Sequence, residues 1–245
     1  MKKLLIFQLL TFILVPIVNF VPNLFLESPF GDDPKTLIQP AGYAFSIWGP
    51  IFLGMLIFSV FQLKTERVDS PHLRTATIAA ISAGWASIAF VPISYSDIQG
   101  LALVDILWHL ASLIVLFIAL RKQILLEKAP NTKWFYLPTQ MYLGWISAAT
   151  AVSVALFLRQ SFGVDLPYSK EVMVTFAVIA ALTAVAIFIN SINGSIVSLT
   201  IVWALVGIIV ANQDSAISWA AGGAITLILL AVVVHLLQGK SLSYA

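Results

Sequence analysis

The chain has 245 residues, of which 60% are hydrophobic and only 10% are charged, and its mean hydropathy is +0.98. Soluble domains are about 45 to 50% apolar and about 25% charged, so this composition indicates an integral membrane protein. Sixteen Phe, seven Trp and six Tyr, without a run of like charges, argue against a disordered chain and against nucleic-acid binding. Because the sequence contains no cysteine, a disulfide framework, a thiolate metal site and a catalytic thiol are excluded.

Apolar runs that lack charge mark the membrane spans, because each span needs about 20 apolar residues and ionisable groups are costly in the hydrocarbon core. The run 172–213 is long enough for two crossings, with turn-forming residues at Ser191-Ile192-Asn193-Gly194 near its middle. The other predicted spans are 4–26, 36–63, 75–96, 98–120, 134–158 and 215–239. The sequence therefore predicts an all-α, polytopic membrane helix bundle of about eight transmembrane helices.

The distribution of lysine and arginine predicts the topology. Lys2 and Lys3 precede the first apolar run as in a signal peptide, but no A-x-A-like cleavage site follows, and we interpret the run as a helix. With the N-terminus in the cytoplasm, only Lys35, Arg159 and Lys170 of the 13 lysines and arginines lie outside. We therefore expect a multi-pass protein of the cytoplasmic (plasma) membrane, with both termini in the cytoplasm.

Asp105 and His109 are the ionisable side chains that lie well inside a predicted span. Their i, i+4 spacing places them on one face of the fourth helix, within reach of each other. One interpretation is a proton relay or a polar ligand anchor. The alternative is an interhelical hydrogen bond that only orients this helix.

Several enzyme classes are excluded, because no phosphate-binding Gly-rich loop, H-E-x-x-H or G-x-S-x-G occurs. A retinal Schiff base would need a lysine deep in a late helix, and no predicted span contains one. A membrane carotenoid enzyme would need two intramembrane carboxylates, whereas Asp105 has no such companion. We assign no catalytic residue and no metal ligand, and we expect no required cofactor.

Most of the tryptophans lie too deep in the predicted spans for an interfacial belt. A deep indole N–H needs a partner, and its ring offers a stacking face. Packing against lipid or neighbouring helices would explain any one of them, but together they favour an aromatic-walled cavity. The deep tryptophans are Trp48, Trp85, Trp108, Trp145 and Trp203, whereas Trp134 and Trp219 fit the belt.

Four segments resemble, in order, motifs of the TspO/MBR family of tryptophan-rich sensory proteins, also called translocator proteins. They are Pro40 to Phe52, with Trp48 eight residues after the proline; Ser82 to Phe90, with Trp85; Ala102 to Leu107; and Pro138 to Ser153, with Tyr142-Leu143-Gly144-Trp145. Ser82 and Ser153 stand where the family has asparagines, and both swaps shorten a hydrogen-bonding side chain.

The resemblance implies a five-helix TspO-like membrane domain over residues 1–160 and a three-helix membrane extension over 161–245. It also implies an apolar pocket for flat hydrophobic ligands such as porphyrins, haem or sterols, closed by the first loop. A homodimer and contacts with membrane lipid are compatible with it. The expected ligand-binding residues are Trp48, Phe52, Trp85, Asp105, His109, Tyr142 and Trp145.

Three functions remain open at this point. The leading hypothesis is a binding protein or sensor for a planar hydrophobic small molecule, such as a tetrapyrrole. The second is a secondary transporter in which Asp105 and His109 couple protons to substrate movement. The third is a carotenoid-type membrane enzyme.

Overall fold

The computed structural model describes residues 1–22, 25, 36–64, 70–96, 98–127, 133–161, 168–212 and 214–240. Within these residues the chain forms eight α-helices and one 3₁₀ helix, with no strand. The helices are α1 (Lys2–Phe20), α2 (Trp48–Lys64), α3 (Pro71–Ser94), α4 (Gln99–Glu127), α5 (Lys133–Ser161), α6 (Tyr168–Ser191), α7 (Ser195–Ala211) and α8 (Ser215–Leu237). The 3₁₀ helix, Gly42–Ile47, leads directly into α2.

Seven of the described helices, with α2 counted together with the preceding 3₁₀ helix, are long and apolar enough to cross a membrane. The remaining one, α7, is an apolar helix of 17 residues. At 1.5 Å per residue it is about 26 Å long, which is the lower end of the range for a span. The predicted all-α, polytopic membrane bundle is therefore confirmed.

The predicted turn in the long apolar run lies between α6 and α7. The first of these helices ends at Ser191 and the next begins at Ser195. Asn193 has a φ of 63°, in the left-handed region that asparagine tolerates better than most residues. Gly194 follows as the N-cap of α7. Asparagine and glycine thus end one helix and start the next, as the sequence pattern indicated.

Three predicted boundaries are wrong by six or more residues. The fourth span was expected to end at residue 120, but α4 continues to Glu127. The second span was expected from residue 36, but residues 36–41 are not helical and α2 begins only at Trp48. Pro40 has no N–H for a helical ladder, whereas Pro50 is tolerated in the first turn of α2. The first helix ends at Phe20 rather than at residue 26, since Pro22 cannot donate to the ladder either.

The described residues form two compact units. The first unit lies within Met1–Pro29 and Trp48–Leu143, and the second within Phe30–Ile47 and Gly144–Ala245. In the first unit α1 packs on α2 and α3, and α3 packs along α4. In the second unit α6, α7 and α8 pack on one another, and the 3₁₀ helix packs on α7. The expected division into two membrane domains at residue 160 is not tested by these contacts and stays a prediction.

Candidate functional site

Three aromatic side chains of the first unit form a buried cluster, here called the aromatic cluster: Trp48, Phe52 and Tyr142. Trp48 and Phe52 lie one turn apart on α2, and their rings stack with centroids 4.9 Å apart. Tyr142 of α5 meets Trp48 edge-on at 5.7 Å and Phe52 at 6.5 Å. Phe52 and Tyr142 are buried, whereas Trp48 is half-buried. Trp48 is therefore the member of the cluster that a molecule from outside can reach.

A close approach of two helices holds the aromatic cluster together. A Cβ atom on Gly54 of α2 would lie 2.6 Å from Cβ of Pro138 on α5. Only glycine allows this approach, because a real Cβ would overlap the proline ring. Pro138 is one turn before Tyr142, so the contact brings the tyrosine ring to the level of Phe52.

His109 of α4 is hydrogen-bonded to the aromatic cluster. Its Nε2 atom lies 2.7 Å from the hydroxyl oxygen of Tyr142, and the two rings meet edge-on at 5.0 Å. Both residues are buried, with exposed fractions of 1% for His109 and 0% for Tyr142. The imidazole and the phenol therefore satisfy each other across α4 and α5.

Two further polar side chains extend this pair. Ser87 of α3 is hydrogen-bonded to the Tyr142 side chain. Asn19 of α1 donates from Nδ2 to Ser87 Oγ at 3.2 Å. Side chains from α1, α3, α4 and α5 thus form one polar chain through the first unit. The sequence analysis missed Asn19 and Ser87, because single neutral polar residues in apolar helices are too common to stand out.

Asp105 lies one turn before His109 on α4 and is only 3% exposed. Both of its carboxyl oxygens are buried, and neither has a hydrogen-bond partner among the described residues. The side chain lies close enough to Tyr142 for an electrostatic interaction. Of the expected Asp105–His109 pair, the histidine thus makes the interhelical hydrogen bond, while the carboxyl group is left without a donor.

The two other expected ligand-binding residues have different surroundings. Trp85 of α3 is 40% exposed and stacks on Phe7 of α1, with centroids 6.4 Å apart. Trp145 belongs to the second unit, where it is buried edge-on against Phe45 at 5.3 Å. Ligand binding by either tryptophan stays a prediction.

Two further deep tryptophans use their indole N–H as expected. Trp108 donates to Ser82 Oγ at 2.9 Å, beside an open groove of about 350 Å³ between α3 and α4. Trp203 donates to the Ala44 carbonyl oxygen at 3.0 Å. Trp219, assigned to the interfacial belt, is 79% exposed, and the side chain of Trp134 lies outside the described residues. Hydrogen bonding therefore explains two of the deep tryptophans without a cavity.

In the second unit the segment before α2, residues 36–47, lies along α7; we call it the docked segment. The Ala41 N–H donates to the Gly207 carbonyl oxygen at 3.0 Å, and Trp203 holds Ala44 as described. A Cβ on Gly207 would lie 2.8 Å from Cβ of Pro40 and 3.0 Å from Cβ of Ala44. Glycine at this position thus lets the backbone of the segment touch α7.

The start of the docked segment is held by two side chains, one from α6 and one from the residue that follows α7. Asn212, which follows α7, donates to the Leu37 carbonyl oxygen at 2.7 Å. Glu171 of α6 accepts the Leu37 N–H at 3.2 Å. Helices beyond residue 160 therefore fix the end of the first loop, a role that the sequence analysis did not foresee.

Comparisons with known proteins bear on this arrangement. A family model described as TSPO-like protein matches residues 5–234, from α1 through α8. Comparison with curated proteins and with solved structures gave no match. The match extends beyond residues 1–160, to which the four motif segments pointed, and takes in α6 to α8 as well. Since it covers most of the chain, this membrane protein belongs to the TSPO-like family, the family that the motif segments predicted.

Proposed function

We propose that this protein binds a planar hydrophobic ligand, such as a tetrapyrrole, and acts as a receptor or sensor rather than as an enzyme. The observation that carries the proposal is the aromatic cluster, in which half-buried Trp48 stacks on Phe52 and abuts the Tyr142–His109 pair. Pockets for such ligands combine apolar and aromatic walls with a few fixed polar groups. The first unit brings both together on α2, α4 and α5.

The energy of binding would come mainly from burying the flat faces of the ligand. Each Å² of apolar surface removed from water contributes about 25 cal/mol, before the costs of association are subtracted. Stacking on an aromatic ring adds about 0.5 to 1.5 kcal/mol. The polar pair would set the orientation of the ligand, because its hydrogen bond holds both polar groups in fixed positions.

A second candidate function, proton-coupled transport, is favoured by the polar chain. Asn19, Ser87, Tyr142 and His109 follow one another across four helices, with Asp105 close by. Ionisable groups inside membrane helices often mark proton or solute pathways. Transport would require these groups to exchange protons during substrate movement, whereas a sensor needs only that they hold the ligand.

The decisive experiment is an absorbance and tryptophan-quenching screen of the detergent-purified protein with porphyrins, haem and carotenoids. Saturable quenching by a porphyrin or haem supports the binding protein. Proton-driven uptake in proteoliposomes would support the transporter, and product formation would support an enzyme. A protein that shows no saturable quenching by any of these ligands would contradict the proposed function.

We further propose that the protein lies in the cytoplasmic membrane with both termini in the cytoplasm. Support comes from the concentration of lysine and arginine in loops assigned to the inside and from the eight helices, an even number, that the described residues form. Reporters fused after Gln62, Lys133 and Ala245 should all report the cytoplasm. An external signal at the C-terminus would contradict this topology.

A further inference from the structure

The buried carboxyl group of Asp105 lacks a hydrogen-bond donor. Among the buried side-chain atoms of the described residues that have no hydrogen-bond partner, its two oxygens are the ones that belong to an acidic group. A charge buried without a partner is unfavourable, and unpaired ionisable groups in membrane helices usually serve a function. In this protein the carboxyl group lies six residues into α4, beside the aromatic cluster.

The side chains around Asp105 are committed to other partners. His109, on the same helix face, is hydrogen-bonded to Tyr142. The Tyr142 hydroxyl is in turn shared with Ser87. The neighbours Val104 and Leu107 are apolar and exposed on the outer side of α4. Neither carboxyl oxygen of Asp105 accepts a hydrogen bond from any of these side chains.

We infer that Asp105 receives its donor from the ligand, so that the ligand of the aromatic cluster is a flat hydrophobic molecule carrying an amine. An ammonium group supplies both the opposite charge and the N–H donors that a buried carboxylate needs. The faces of Trp48, Phe52 and Tyr142 also attract cations. A metal ion fits less well, since the described residues contain no group of three or more His, Cys, Asp or Glu side chains that could hold one.

This inference rests on the proposed function and narrows its ligand class. The test compares two probes of nearly equal shape: aminomethylanthracene and ethylanthracene, each substituted on the central ring. They differ in one terminal group, an ammonium in the first and a methyl in the second. Binding is measured by ligand fluorescence and tryptophan quenching in nanodiscs of phosphatidylcholine, a lipid that supplies no primary amine.

The parent protein should bind the amine at least about tenfold more tightly than the ethyl probe, because hydrogen bonds to a charged group are stronger than neutral ones. Asp105→Leu should remove this preference, and its thermal melt shows whether the fold is intact. Asp105→Asn, which keeps one acceptor oxygen and no charge, should give an intermediate preference. Thr77→Val is the control, because Thr77 is buried in the same unit and donates to the Leu73 carbonyl of its own helix.

Equal affinities of the two probes, or an amine preference that persists in Asp105→Leu, would overturn the inference, as would absence of amine binding. If Asp105→Leu does not fold, the result for Asp105→Asn decides. Protoporphyrin is titrated into the same preparation. Saturable porphyrin binding without an amine preference would overturn the inference and leave the proposed function standing. If the protein shows neither porphyrin binding nor an amine preference, both the inference and the proposed function are contradicted.

Discussion

The two units of the molecule differ in the hydrogen bonds that join elements distant in the sequence. In the second unit, polar side chains bind backbone atoms: Trp203 donates to Ala44, Asn212 to Leu37 and Asn190 to Ala231. In the first unit, the central contact joins two side chains, His109 and Tyr142.

The difference separates two roles for polar residues in a membrane bundle. A side chain that binds a backbone carbonyl fixes one helix or segment against another, and its partner cannot leave without unfolding. A side chain that binds another side chain, next to an unsatisfied carboxyl group, can exchange its partner for a ligand at lower cost. The second unit thus holds the docked segment in place, and the contrast supports the proposed binding role of the first unit.

The largest effect is expected for Gly207→Val, which disrupts the contact between the docked segment and α7 in the second unit. The added side chain would overlap Pro40 and Ala44, and overpacking of this kind costs about 1 to 3 kcal/mol. We expect a strongly lowered melting temperature in detergent. Gly222→Val on α8 is the matched control, since no atom lies within 4 Å of a Cβ at that position. Equal melting temperatures of the two variants would show that the segment is not held on α7 as described.

The next effect concerns ligand binding at the aromatic cluster. Trp48→Ala removes the stacking ring that is reachable from outside, so porphyrin affinity should fall about tenfold or more. Trp48→Phe should be tolerated better, because it keeps most of the apolar face. Trp219→Ala, at an exposed position, should change affinity little. Unaltered porphyrin binding by a folded Trp48→Ala protein would place the ligand elsewhere.

A smaller effect is expected for Tyr142→Phe, which keeps the ring and removes the hydroxyl partner of His109. The lost hydrogen bond should lower the free energy of unfolding by about 1 kcal/mol. Tyr43→Phe is the control, because Tyr43 is 42% exposed and touches Trp203 through its ring. Similar changes in both variants, measured by denaturant titration, would mean that the Tyr142–His109 bond contributes little.

The helices were predictable from the sequence because their signals are local. Apolar runs without charge fix the spans, and Asn193-Gly194 marks the turn between α6 and α7 wherever the rest of the chain lies. The members of the aromatic cluster were predicted from the resemblance of their motif segments to the family, and the sequence did not show that the rings of α2 and α5 meet.

Contacts between distant parts of the chain could not be predicted in this way. The docking of residues 36–47 depends on Trp203, Gly207 and Asn212, which follow more than 150 residues later. His109 could be paired with Asp105 from spacing alone, but Tyr142 is its partner because α5 packs beside α2 at Gly54. Local spacing thus identified polar residues of the candidate site and not their partners.

The smallest effect is expected for a side-chain pair of the first unit to which we assign no part in ligand binding. Trp108 donates to Ser82 at the outer side of α3 and α4, and Trp108 is 43% exposed. Hydrogen bonds between membrane helices contribute about 0.6 kcal/mol on average in double-mutant cycles. A cycle of Trp108→Phe and Ser82→Ala should therefore give a coupling free energy of about this size and unchanged porphyrin binding. A loss of affinity in either single variant would instead extend the ligand site to the groove between α3 and α4, because the indole N–H and the serine hydroxyl would then be partners of the ligand.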